Sequence, residues 1–213
     1  MEVLFEKKDI CSKCKGVCCK KSGCDYSASD FEHLNTNFLY EKLKEGKISI
    51  VSYQDFKQIK GKITSTSFLY LRARNKNRDI VDLLSLKTTC LLLKENGCSY
   101  SKDERPSGGL NLIPSEDGLC YPYRDPMEIV QSWEPYQTTL ARLVKRITGN
   151  NVYTQIKKDA ITFFYDIINF NFQDVSQTEI SDVLNSLYLY KQAYPEEFNQ
   201  AARQTSTTKK KKL

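Results

Sequence analysis

Histidine is nearly absent from this chain of 213 residues, His33 being the only one. Catalytic zinc sites built on two or three imidazoles are therefore unavailable, and His33 itself reads as an exposed helix residue. No segment approaches the roughly 20 apolar residues that span a bilayer, and Met1 to Ile10 lacks the apolar stretch of about 7–15 residues found in a secretion signal. The chain is accordingly expected to be cytoplasmic, with no membrane partner. A G-x-G-x-x-G loop is missing, which removes one design for cofactor binding. So is the Cys-x-x-x-Cys-x-x-Cys triplet of radical enzymes, because Lys21 stands where a third cysteine would follow Cys14 and Cys18. Neither an internal repeat nor a Gly/Ser or Pro-rich linker separates independent domains.

What is present is cysteine. The chain has eight, and five fall within fourteen residues as Cys11-x-x-Cys14-x-x-x-Cys18-Cys19-x-x-x-x-Cys24, followed by Cys90, Cys98 and Cys120. A reducing cytosol favours metal binding over disulfides for such a pattern. A Cys-x-x-Cys turn lets two thiolates approach one ion from the same side, and distant cysteines complete the shell when the chain folds back. Neighbouring side chains diverge, so the Cys18-Cys19 pair suits two ions or one cluster better than a single mononuclear shell. Lys7, Lys8, Lys13, Lys15, Lys20 and Lys21 surround the motif and favour thiolate over thiol. The formal charge of +6 counts every cysteine as neutral; eight thiolates on two divalent ions would bring it down to about +2. The lysines then read as compensation for thiolate charge more than as a nucleic-acid footprint.

These cysteines, in this order and with the landmarks between them, resemble the YkgJ-type cysteine-cluster proteins, a zinc- or iron-chelating family. The resemblance covers roughly residues 10 to 125. It rests on Cys11 through Cys18-Cys19, then Cys90-Leu91-Leu92-Leu93, Gly97-Cys98-Ser99-Tyr100, Arg105-Pro106 and Cys120-Tyr121-Pro122. Two departures stand out. Three residues, Lys15, Gly16 and Val17, precede the cysteine pair where the family usually has two, and an insertion containing Gly108-Gly109 and Ile113-Pro114 separates Arg105-Pro106 from Cys120. The resemblance implies metal binding by Cys11, Cys14, Cys18, Cys19, Cys24, Cys90, Cys98 and Cys120. It implies no settled reaction; some relatives join this cluster to flagellin lysine methylation, which a cluster alone does not transfer.

The remaining pattern predicts an α+β fold, mostly helical, with a small antiparallel sheet and cysteine-bearing loops. Ser29-Asp30-Phe31-Glu32 reads as a capping box opening a helix that stops at Gly46. Residues 47–52 and 68–74 alternate as strands, and Asn75-Lys76-Asn77-Arg78 reads as a hairpin turn leading to a strand over 79–85. From Pro126 the spacing becomes helical, stopping at Gly149 with Pro135 as a kink or break. A second helix is predicted over 152–168. Ser176-Gln177-Thr178-Glu179 caps a third over Ile180 to Leu187, and Pro195-Glu196-Glu197 begins a short last one. The expected division is a metal-binding domain over 1–125, a helical extension packed on it over 126–203, and a disordered Lys-rich tail over 204–213.

Several residues carry two readings. Asp30 could contact an iron or favour a helix start. Arg105 could donate to thiolates or, with Pro106, fix a turn. Arg142, Lys145 and Arg146 form a compact basic group near a helix end, which the macrodipole explains as readily as nucleic acid does. The leading expectation is a metal-binding protein whose zinc or iron, iron–sulfur included, is structural and whose surface serves an unidentified protein partner. The competing expectation is an iron-dependent protein-modifying or redox enzyme, which needs an open coordination position. A nucleic-acid-binding zinc module ranks third. No catalytic residue is assigned, and thiolate ligands do not separate zinc from iron.

Overall fold

The computed structural model describes residues 16, 19–20, 22–84, 89–95, 97–101, 104–117, 120–169 and 187–210. Its main sheet has three antiparallel strands in the order β1 (Asp25–Tyr26), β3 (Lys62–Ala73) and β2 (Ile48–Ile59). Helix α1 (Thr36–Lys44) lies between β1 and β2 in the chain. The hairpin of β2 and β3 turns at Lys60-Gly61, not at the expected tetrad 75–78. Both turn residues have positive φ, 50° and 77°, as a two-residue loop matched to strand twist requires. The tip of the ribbon, residues 57–62, is exposed throughout, so it carries none of the apolar alternation that marks a strand in sequence. The tetrad does turn, with Asn77 at φ 61°, but residues 79–84 form no strand and join β2 through a parallel bridge between Ile50 and Val81 and through the Ser49 and Ser52 hydroxyls.

The predicted capping box is displaced as well. Ser27 and Asp30 form it, with the Asp30 carboxylate accepting the Ser27 amide at 2.9 Å, and it opens only a 3-10 turn over Ala28–Asp30. Two overlapping Ser-x-x-acid windows compete here. Docking favours the first, because Ser132 Oγ accepts the Ala28 amide at 2.9 Å and holds this turn on the helical part. Helix α1 starts six residues later, where the Asn35 side chain accepts the Phe38 amide at 3.0 Å.

Two small hairpins follow, β4 (Leu93–Lys94) with β5 (Gly97–Cys98) and β6 (Leu112–Pro114) with β7 (Cys120–Pro122). Between them lies the one-turn helix α2 (Ser107–Leu110). Pro135 does break the next helix: α3 (Pro126–Gln131) ends before a 3-10 turn over Glu134–Tyr136, and α4 (Gln137–Thr148) stops at Gly149. Helix α5 spans Val152–Ile168 as expected. The capping box at 176–179 lies outside the described residues. Helix α6 is described over 187–193, and α7 runs from Pro195 to Lys210.

The last helix is therefore long, and it enters the segment expected to be a disordered tail. Ala201 and Thr205 are buried one turn apart, with the Thr205 hydroxyl donating to the Ala201 carbonyl at 3.1 Å, and Phe198 meets Phe164 of α5 edge-on. One small-residue face on α7 is enough to carry the helix past Gln204.

The architecture is α+β. Ile50, Leu69 and Leu71 from the sheet share one continuous core with Trp133, Leu140, Leu143 and Val144, and with Ile156 and Phe164 of α5. Trp133 is fully buried and its indole donates to the Tyr26 carbonyl at 2.6 Å, tying β1 to the helices. The Gln137 side chain pairs with both backbone groups of Leu69 at 2.8 Å. Among the described residues no helix is long and apolar enough to cross a membrane.

Candidate metal centre

Three segments meet where β3 leaves the sheet. Residues 89–91 lie along residues 74–76: the Lys76 amide donates to Thr89, the Leu91 amide to Arg74, and Asn75 bridges Cys90. On the far side of that segment the Cys90 amide donates to the Cys19 carbonyl at 2.7 Å. Asn75, 4% exposed, completes the junction, because its side-chain oxygen accepts the Gly23 amide at 2.8 Å. The loop holding Cys19 to Cys24 is thus clamped at both ends.

The adjoining hairpin brings in Cys98. It pairs with Leu93 across β4 and β5, and the Leu93 side chain lies directly over the backbone of Gly16, between Cys14 and Cys18 in sequence. Of the expected return of Cys90 to Cys120 onto Cys11 to Cys24, the described residues hold the backbone contact of Cys90 with Cys19. Cys19 and Cys98 pack against the core, and Cys90 is buried within it.

Cys24 sits on the other side of this loop. Its carbonyl accepts the Ala73 amide at 2.8 Å, and its sulfur faces Gly109 of α2. Gly23 permits this approach: a Cβ there would overlap the Ala73 carbonyl, which no side chain allows. Arg72 holds β1 in register, donating to Asp25 at 2.7 Å and to the Tyr70 hydroxyl at 2.6 Å, with the guanidinium 17% exposed. Cys120 opens β7 opposite Pro114.

The two readings of Asp30 separate on geometry. Its carboxylate accepts the amide of Ser27, the amide of Ser107 at 2.8 Å and the Ser107 hydroxyl, so it serves two turn starts at once. Pro106 is buried at the entrance to α2, and its carbonyl accepts the amides of Gly109 and Leu110, which is the turn-fixing role. His33 is exposed beside Glu32 at 3.6 Å, but in the bend before α1 and not within a helix.

Cys11, Cys14 and Cys18 lie outside the described residues, as do all the flanking lysines except the exposed Lys20. Among the described residues no three His, Cys, Asp or Glu side chains converge closely enough to hold a metal ion. The donor set remains chemically apt for zinc or iron, since thiolates bind both.

Asn75 and Gly23 organise this junction: the sequence marks Gly23 as a turn glycine of the cysteine loop and Asn75 as the start of a polar turn, but carries no signal that the two bond each other. Comparison of the chain with protein-family models, curated proteins and solved structures finds no match.

Proposed function

We propose that this chain is a metal-binding protein in which cysteines from the 11–24 loop and the 90–98 segment hold zinc or iron in a structural role, leaving the outer surface for a protein partner. The observation that carries the reading is the backbone contact of Cys90 with Cys19, which joins two cysteine groups some seventy residues apart in sequence. The motif order shared with the YkgJ-type proteins supports it. So does the intracellular logic of the cysteines, because an unligated cluster of thiols is an oxidation liability. The bound ion would supply a cross-link between the two segments. Asn75, Gly23 and the Arg72–Asp25 pair would hold the ligand backbone in place before the ion arrives.

Metal content and the optical spectrum of protein purified without oxygen test this, alongside Cys19→Ser and Cys90→Ser. The expected result is about two zinc ions, or one iron cluster, per chain, reduced in both variants. Iron with thiolate-to-metal absorbance and an exchangeable position would move the enzyme reading ahead. No metal in any preparation would overturn the proposal. Hydrogen exchange adds a regional readout: chelation is expected to speed exchange at 16–24 and 89–98 more than in α4, α5 and α7.

A further inference from the structure

The basic group on α4 has neighbours that the sequence does not reveal. Helix α1 packs against α4 and carries Lys42 and Lys44 in its last turn, while α4 carries Arg142, Lys145 and Arg146 and no acidic residue. Lys42 and Lys44 are paired with Glu45 and Glu41. Among the described residues nothing acidic pairs with Arg142, Lys145 or Arg146. Arg146 is exposed yet fixed: its guanidinium carbon lies 3.7 Å from the Tyr40 ring centre, and Nη1 donates to Asn37 at 2.9 Å. Both partners are neutral, so the group is oriented while its full charge is retained. An exposed arginine without such partners loses rotamer freedom when it binds; this one has surrendered much of it already.

We propose that the seam of α1 and α4 binds the phosphate backbone of a nucleic-acid strand, without reading its bases. Arg146 is the fixed anchor, offering its remaining N–H groups as a fork to one phosphate. Arg142, one turn earlier at a rise of about 6 Å, and Lys145 on the same exposed end reach phosphates on either side. A lipid surface is the weaker match, because membrane binding needs an apolar face, and the exposed large apolar residues (Tyr53, Ile59, Tyr121, Tyr123, Tyr153, Ile168 and Tyr188) lie outside both helices. The macrodipole accounts for basic residues near the end of α4. It does not account for an arginine held by an asparagine and a tyrosine of another helix. The inference is independent of the metal centre.

The test is fluorescence anisotropy of the full chain with a labelled single-stranded oligothymidine of about 20 nucleotides, across a salt series. Three phosphate contacts predict that log affinity falls with log salt at a slope of about −2. Arg142→Glu with Arg146→Glu is expected to weaken binding at least tenfold and flatten that slope by about two thirds. Arg146→Lys keeps the charge and loses the fork, so binding should weaken about threefold at an unchanged slope. Arg142→Gln with Arg146→Gln serves if the reversed variant does not fold. Lys60→Glu with Lys62→Glu at the hairpin tip, and Lys210→Glu with Lys211→Glu at the chain end, should each change affinity less than twofold. No binding, binding indifferent to the α4 variants, or loss equally severe in either control would overturn the proposal. So would binding to phosphatidylserine vesicles in the absence of binding to the oligonucleotide.

Discussion

Replacing Asn75 by alanine removes the one side-chain bond that holds Gly23 while leaving the Asn75–Cys90 backbone bridge intact. The Gly23 amide sits in a buried junction, so the loss is that of an unsatisfied donor, about 1–3 kcal/mol. For a chain of this size the melting temperature should fall by roughly 2–4 °C for each of those kcal/mol. Thermal unfolding followed by circular dichroism measures the total, and hydrogen exchange at Gly23 to Asp25 locates it. The stronger check is a double-mutant cycle with Cys90→Ser. If Asn75 acts by holding the cysteine loop against the Cys90 segment, the two losses should fail to add by more than about 0.5 kcal/mol. Additive losses, or an Asn75→Ala variant as stable as the parent, would falsify the assignment of Asn75 as the clamp of this junction.

Gly23→Ala should be more severe than Asn75→Ala, because the added Cβ overlaps the Ala73 carbonyl and forces β1 away from β3; metal retention and melting temperature should fall together. Trp133→Phe leaves a cavity and an unpaired Tyr26 carbonyl, so urea unfolding should register a loss of about 2–4 kcal/mol. Asp159 gives a pH test. Burial raises its carboxyl to about 6, although the Leu83 amide and Gln155 donate to it and oppose the shift. Its ordinary value is near 4, so the folded state binds this proton more tightly than the unfolded state does. The stability it contributes is present at low pH and is lost as pH rises through roughly 4 to 6. The difference in unfolding free energy between the parent and Asp159→Asn should therefore change across that window, and a constant difference would remove Asp159 as its source.

The parts of the fold legible in sequence are those where one physical signal acts alone. Helix α5 is legible to its ends from its apolar spacing, and the structure adds Asn151 as its N-cap. The break at Pro135 and the stop at Gly149 follow from backbone chemistry that tertiary context rarely overrides. Failures came where two local signals competed. Ser27 to Asp30 and Ser29 to Glu32 match the same capping pattern, and the contacts with Ser107 and Ser132, distant in sequence, favour the first. The Lys60-Gly61 turn carries no such signal, because the exposed ribbon tip over 57–62 lacks the alternation that reveals a strand. At the candidate centre, the cysteine pattern predicts that Cys90 to Cys120 return to Cys11 to Cys24, and the contact of Cys90 with Cys19 is the part of this that the described residues hold. The pattern could not anticipate that Asn75, read as an ordinary turn residue, would be buried and hold that loop.

β1 pairs with β3 only at Leu71 and Arg72, and at Leu69 the next place in the ladder is filled by a helix side chain offering one donor and one acceptor. That amide behaves as a strand one residue long. A second chain seeking to extend the sheet along this edge would have to evict Gln137 and, with it, loosen α4 from the core. Edge-to-edge assembly at this point is therefore coupled to unfolding, so soluble protein that begins to form fibres on mild heating should first show release of α4.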